Sequence, residues 1–327
     1  MPWFRSQPGP DRAAQAAAAE RDLRSQAELA AGRLPLVAQE RLQRQAGGGS
    51  AWTSDLSVDE LAALHDVGFE PVGQVLGSTI YRISALRAGL GGGGLGFGGS
   101  LGGLGFATGA TENAVLSAAL YESRRLALGR LLQEAAGLGA HGVVGVRLTI
   151  RAYDWGAGLS EFSALGTAIR RRGAAPLPRP FTSDLSGQEF AKLVRAGWVP
   201  AGLVLGACAM QAVVVFGAVG MGWNTVSSWW NQEVTPFTAA LHQAQQVARQ
   251  RMRADGAQLG AEGIVGVHPW REIHEFATGN ESVQGRLVEW VMAGTAVAAY
   301  TKEHRSQSPR LTVPLTDRPA DSAALVP

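Results

Sequence analysis

The sequence predicts an α+β protein: two tandem copies of one β-α-β-α-β-β unit, preceded by a helical N-terminal extension. Three observations predict it. Thr53-Ser54-Asp55-Leu56-Ser57 leads through Gly68-Phe69-Glu70-Pro71-Val72-Gly73 to Val75-Leu76-Gly77. That skeleton returns 129 positions later as Thr182-Ser183-Asp184-Leu185-Ser186, Gly197-Trp198-Val199-Pro200-Ala201-Gly202 and Val204-Leu205-Gly206. Farther on, Leu138-Gly139-Ala140-His141-Gly142-Val143-Val144-Gly145-Val146 matches Leu259-Gly260-Ala261-Glu262-Gly263-Ile264-Val265-Gly266-Val267, and Gly166-Thr167-Ala168 matches Gly294-Thr295-Ala296. The expected divisions are 1–49 for the extension and its joint, 50–170 for repeat 1, 171–180 for a linker, 181–302 for repeat 2 and 303–327 for a tail.

The elements follow in order. From Asp11 to Gln45 the chain is rich in Ala, Gln, Arg and Glu, all good helix formers. Leu23, Ala27, Ala30 and Ala31 make a shallow apolar stripe, and Pro35 ends or kinks the helix. This arm reads as a weakly packed extension, with a partner-binding arm as the alternative. Ser57 with Glu60, and Ser186 with Glu189, form capping boxes at the start of a short helix in each copy. Thr53 and Asp55, just ahead of it, read as capping and turn residues rather than catalytic ones. Leu61, Leu64 and Val67 share one helix face, and Gly68 suits a left-handed C-terminal cap. Phe69 to Ile83 reads as strand, with Gly73 and Gly77 allowing a bulge or a close approach.

Residues 89–109 are dominated by glycine with Leu and Phe between. Their G-x-G-x-G-G run at Gly94 to Gly99 is expected by chance in such a composition, and no Gly-Lys-Ser/Thr follows it. A long helix from about Glu112 to Ala136 should bury Leu116, Leu120, Leu128, Leu131 and Leu132, leaving Glu122, Arg124, Arg125 and Arg130 in solvent. Val143 to Ala152 alternates: Val146, Leu148, Ile150 and Ala152 on one face, Arg147, Thr149 and Arg151 on the other. A turn near Gly156 and a strand over Phe162 to Ile169 close the copy. In copy two, Gly197 to Trp223 is uncharged over a membrane-spanning length. Its counterpart carries Glu70, Arg82 and Arg87, so a buried pair of strands is the reading, with membrane contact through the Gly/Leu/Phe and Trp-rich loops as the alternative. Trp223, Trp229 and Trp230 suit an interface. The tail, rich in Pro, Ser and Arg, is expected to be disordered.

Composition bounds the function. The chain has 327 residues, enough for two ordinary domains, and a formal net charge of +2 that gives no nucleic-acid-binding surface. A single cysteine, Cys208, excludes an intramolecular disulfide and suits a reducing cytoplasm. No Ser-His-Asp order, nucleophile elbow or paired buried carboxylate can be assigned, so no enzyme is predicted.

Val75-Leu76-Gly77, the long polar helix, the Gly139 to Val146 segment and Gly166-Thr167-Ala168 resemble the YbjQ family, over about 52–169 and again 181–301. The resemblance implies the family's heavy-metal-binding label, hence a transition metal as cofactor, and self-association as a homo-oligomer with five-fold rings. Tandem fusion, the N-terminal arm and the glycine-rich insertion depart from that pattern. The candidate ligands are His141, His268, His274 and Cys208, but they do not repeat: His141 faces Glu262, His268 faces Arg147 and Cys208 faces Thr79. His268 and His274 share a strand face yet sit about 20 Å apart at about 3.3 Å per residue, too far to chelate one ion. Two units per chain cannot close one ring of five. Either two rings stack, one of each copy, or the two copies pair privately within the chain.

Overall fold

The computed structural model describes residues 12–47, 51–82, 110–152, 159–215, 233–277 and 283–301. The arm forms α1 (Arg12–Ala30) and α2 (Leu36–Ala46). Next come α3 (Val58–Asp66), β1 (Phe69–Arg82), β2 (Thr111–Glu112), α4 (Ala114–Gly137), β3 (Gly142–Ala152) and β4 (Leu159–Arg171). The second half holds β5 (Phe181–Thr182), α5 (Gly187–Arg195), β6 (Trp198–Val215), α6 (Thr235–Gln258), β7 (Gly263–Ala277) and β8 (Val283–Ala299). The glycine-rich stretch, Trp223, Trp229, Trp230 and the tail lie outside the described residues.

The second half follows the expected β-α-β-α-β-β order. The first does not: Trp52-Thr53, where a leading strand is expected, pair with no strand among the described residues, and β2 appears in addition. The predicted strand pair after Gly197 is instead one continuous strand of 18 residues, β6. Among the described residues no helix is long and apolar enough to cross a membrane.

The described residues form two four-stranded sheets, ordered β1-β4-β3-β5 and β2-β6-β8-β7. Both are antiparallel except for the short parallel β3–β5 pair. Register breaks recur at matching places, between Pro71 and Gly73 in β1 and between Pro200 and Gly202 in β6. Each follows from a proline that cannot donate to the ladder beside a glycine that tolerates the bulge. The end strands are exchanged: β2 from the first half lies on β6, and β5 from the second lies on β3.

Layers alternate sheet, helix, sheet, helix. Helix α4 packs on its own sheet through Ala127, Leu131 and Ala135 against Val75, Phe162 and Ala164. The same cluster takes in Leu203, Ala207, Ala209, Leu287 and Val291 of the second sheet. Helix α6 covers that sheet's far face, with Ala240, Ala244, Ala248 and Met252 against Val204, Cys208, Met210 and Met292. Its apolar stripe recurs every four residues and is made of alanines, so helix and strand come close. Two glycines set the distance. A Cβ at Gly77 would lie 1.9 Å from the Ala127 carbonyl oxygen, and one at Gly206 would lie 1.9 Å from that of Ala248.

The arm is only half free. Leu23 of α1 is exposed, but Leu34 and Leu42 are buried. Arg41 of α2 ion-pairs with Glu134 of α4, and Gln133 donates to the Gly32 carbonyl at 2.8 Å. Pro35 occupies the N-cap of α2, where its fixed φ and missing N–H carry no penalty.

Candidate functional site

Both capping boxes form, with Ser57 and Glu60 on α3 and Ser186 and Glu189 on α5. The aspartates ahead of them do something other than cap. The Thr167 hydroxyl donates to Asp55 Oδ1 at 2.8 Å and lies 3.1 Å from Ser54 Oγ. In the second half the Thr295 hydroxyl donates to Asp184 and lies 3.0 Å from Ser183 Oγ. Each Thr-Ser-Asp loop is thereby tied to the last strand of its own half. Arg147 reaches Asp55 at 3.3 Å. His268 holds the counterpart position near Asp184, whose carboxyl is pushed up by burial, against its hydrogen bond from Thr295 and the nearby His268.

The tied loop has a free backbone edge, and in the second half the first sheet uses it. Phe181 and Ser183 donate to the carbonyls of His141 and Val143 at 3.1 and 2.9 Å. Val146 and Gly145 donate back to Ser183 and Leu185 at 2.9 and 2.8 Å. On the opposite side Tyr121 and Ser117 of α4 accept from the backbone N–H groups of Ala207 and Ala209, at 2.9 and 3.0 Å. Glu112 and Arg251 make a two-pronged pair at 2.7 and 3.0 Å, and Arg251 also donates to the Ala207 carbonyl at 2.9 Å. Bidentate geometry of this kind fixes orientation as well as adding attraction. The halves are held by reciprocal strand addition, not by side-chain contact alone.

Between α4 and the second sheet sits a polar cluster. Contrary to its sequence-based placement in solvent, Arg124 is 2 % exposed. Its guanidinium lies 5.1 Å from the Trp270 ring centroid and 5.9 Å from that of Phe162, within cation–π range. None of its three nitrogens has a hydrogen-bond partner among the described residues, and burial lowers its pKa to about 10. Across the interface, Glu289 is pushed up by burial. Glu272 lies directly opposite Glu289 in the β7–β8 register, and His274 is two residues along. His274 Nε2 is 3.4 Å from Glu272 and 3.7 Å from Glu289. The hydrogen bond to Glu272 raises the His274 pKa, with burial opposing it. Alternation explains the missed group: Glu272-Ile273-His274 puts both polar side chains on one face of a strand. Nothing in the helix pattern marks Arg124, because a guanidinium at a helical core position looks like a surface residue until the second sheet covers it.

The other candidate ligands are dispersed. His141 is buried, and its Nδ1 accepts from the Arg171 N–H at 3.3 Å. Its counterpart Glu262 accepts from the Ala299 N–H at 3.1 Å, so both side chains serve as acceptors at a strand end. Cys208 is buried under α6, and burial pushes its thiol up to about 11, so it is protonated at neutral pH. Among the described residues only His274 of the four joins such a group: atoms of Glu272, His274 and Glu289 lie within 4.8 Å of one another. The group offers one imidazole and two carboxylates beside a guanidinium, with no thiolate and no second imidazole among the described residues to converge on a soft metal.

The profile of the YbjQ family, described as "Putative heavy-metal-binding", matches residues 105–172. No solved structure matches the chain. It is 35 % identical over 266 residues to the encapsulin nanocompartment protein Rv1762c of Mycobacterium tuberculosis (strain ATCC 25618 / H37Rv), covering 80 % of this chain and 90 % of that protein. With that identity over nearly the whole of its relative, the chain belongs to the same family as the mycobacterial encapsulin nanocompartment protein.

Proposed function

We propose that this protein is a non-enzymatic, self-assembling scaffold whose role is to build a protein compartment. One observation carries the reading: its 35 % identity, over 90 % of that protein, to an encapsulin nanocompartment protein. A compartment made of protein requires each subunit to repeat its contacts, and this chain has the means. β1 and β7 each end a sheet with backbone groups turned outward. Such edges recruit further strands unless something covers them. The chain is read as two tandem repeats, 50–170 and 181–302, joined at 171–180 and preceded by the arm at 1–49. The twice-used sequence skeleton and the matching bulges at Gly73 and Gly202 support this. A single buried thiol fits a reducing cytoplasm.

Light scattering on purified protein, followed by negative-stain microscopy, tests it. The expected mass is a multiple of the 34.2 kDa chain, with closed particles on the grid. A mass of one chain at micromolar concentration overturns it.

A further inference from the structure

We propose that copies of this chain join head to tail, by repeating between chains the contact that already joins its two halves; this rests on the self-assembly reading above. Each side of the contact between the halves has a counterpart left vacant among the described residues. Phe181 lays its ring on Gly142 of β3, where an added Cβ would meet ring atoms at 2.3–2.4 Å. The counterpart of β3 is β7, and it ends its sheet. The counterpart of Gly142 is Gly263, where an added Cβ would find, among the described residues, only Val297, at 3.6 Å. Trp52 corresponds to Phe181 and is 50 % exposed. The loop behind Trp52 is already in the receiving shape, since Ser54 and Asp55 are bound to Thr167 as Ser183 and Asp184 are to Thr295. Residues 52–56 of one copy therefore add to β7 of another as 181–185 add to β3, with little ordering cost left to meet.

The other end of the chain matches. β6 receives β2, whose Glu112 pairs with Arg251, and Arg251 also donates to the Ala207 carbonyl. The counterpart of β6 is β1, which ends its sheet. There Arg130 donates to the Ser78 carbonyl, as Arg251 does to that of Ala207, but no carboxylate pairs with it among the described residues. The counterpart of Glu112 is Glu233, which is exposed. On β1, Leu76 and Ile80 are 42 % and 62 % exposed, whereas their counterparts Leu205 and Ala209 are buried under α4. Helix α6 offers Thr238 and His242 where α4 has Ser117 and Tyr121. Both vacancies fill in one contact, with the second half of one copy against the first half of the next. The contact is heterologous, so it propagates until rotation closes it.

Charge reversal in two separate chains tests this. Arg130→Glu alone and Glu233→Arg alone should each fall to the 34.2 kDa chain mass, while an equimolar mixture reassembles, because every contact then joins unlike charges. Independently, Thr53→Cys protein mixed with Ile264→Cys protein should yield a disulfide-linked band of two chains that neither forms alone, following the Thr182–Val143 pairing of β5 and β3. If the parent assembles while both charge variants keep its mass and the mixed cysteines do not couple, the head-to-tail contact is wrong and the assembly reading stands. If the parent itself is a single chain, both fall.

Discussion

Replacing Gly206 by alanine should be among the most damaging single-methyl changes in this protein. The new Cβ would sit 1.9 Å from the Ala248 carbonyl oxygen and 2.9 Å from the Met252 Cβ. Since real Cβ atoms do not approach a neighbour within 3.0 Å, α6 must withdraw from β6 by about 1 Å. The obstacle is backbone, so no rotamer change relieves it. A gap of that width costs the buried Ala240, Ala244 and Ala248 roughly a quarter to a half of their dispersion contacts. Overpacking of this kind costs about 1–3 kcal/mol, and a backbone collision belongs at the upper end. A loss of about 3 kcal/mol corresponds to a fall of roughly 4–6 °C in melting temperature for a chain of this size. Urea unfolding followed by far-UV circular dichroism measures it, with Gly145→Ala as the reference. Gly145 has a φ of 63° and nothing within 4 Å of an added Cβ, so it suffers only the left-handed backbone penalty of about 1–2 kcal/mol. A loss at Gly206 no larger than that at Gly145 would refute the close-approach argument.

Further expectations follow from the buried polar groups. Arg124→Met should stabilise the protein by about 1–2 kcal/mol: a pKa near 10 instead of 12.5 marks a burial cost of about 3 kcal/mol, against which two cation–π contacts return about 0.5–1 kcal/mol each. A destabilisation beyond about 1 kcal/mol in urea would contradict this. The His274 imidazole should titrate above 6.5 by NMR, and Glu272→Gln should bring it back down. Its folded-state pKa is raised, so its contribution to stability is full below pH 6.5 and is lost as pH rises through the raised value. Folded protein should resist iodoacetamide at pH 8, and the same protein in urea should react, because Cys208 is buried with its thiol pushed up to about 11. Cadmium added to the protein should be lost on gel filtration, since Cys208 and the Glu272, His274 and Glu289 group lie apart; stoichiometric retention abolished by His274→Ala would overturn that.

Much of the architecture was legible because the same local chemistry occurs twice. Ser57 with Glu60 marked a helix start, and Gly68 its left-handed end, from residue type and spacing alone. Gly73 and Gly77 read as places for a bulge or a close approach, and Gly73 takes the bulge while Gly77 takes the close approach. The site was much less legible. Arg124 reads as a surface arginine because its burial depends on a sheet that begins some 70 residues later. Asp55 reads as a turn residue, although its partner Thr167 lies 112 residues on, in the last strand of the first half. Trp52, which drew no attention beside Trp223, Trp229 and Trp230, gains meaning only when Phe181 is seen lying on Gly142. Each of these depends on a long-range pairing that local pattern does not encode.

The exchanged strands also set a schedule for synthesis. β2 ends at Glu112, yet its partners Met210 and Gln211 are made about 100 residues later. At about 5–20 residues per second, the ribosome delivers them roughly 5–20 seconds afterwards. Meanwhile the nascent first half carries β3 without β5 until β5 is made, and α4 uncovered until the strands that bury Arg124 are made. Neighbouring ribosomes on one message would hold several such halves close together. Their uncovered faces accept a second half from any chain, so cross-pairing between nascent chains competes with closure of each on itself.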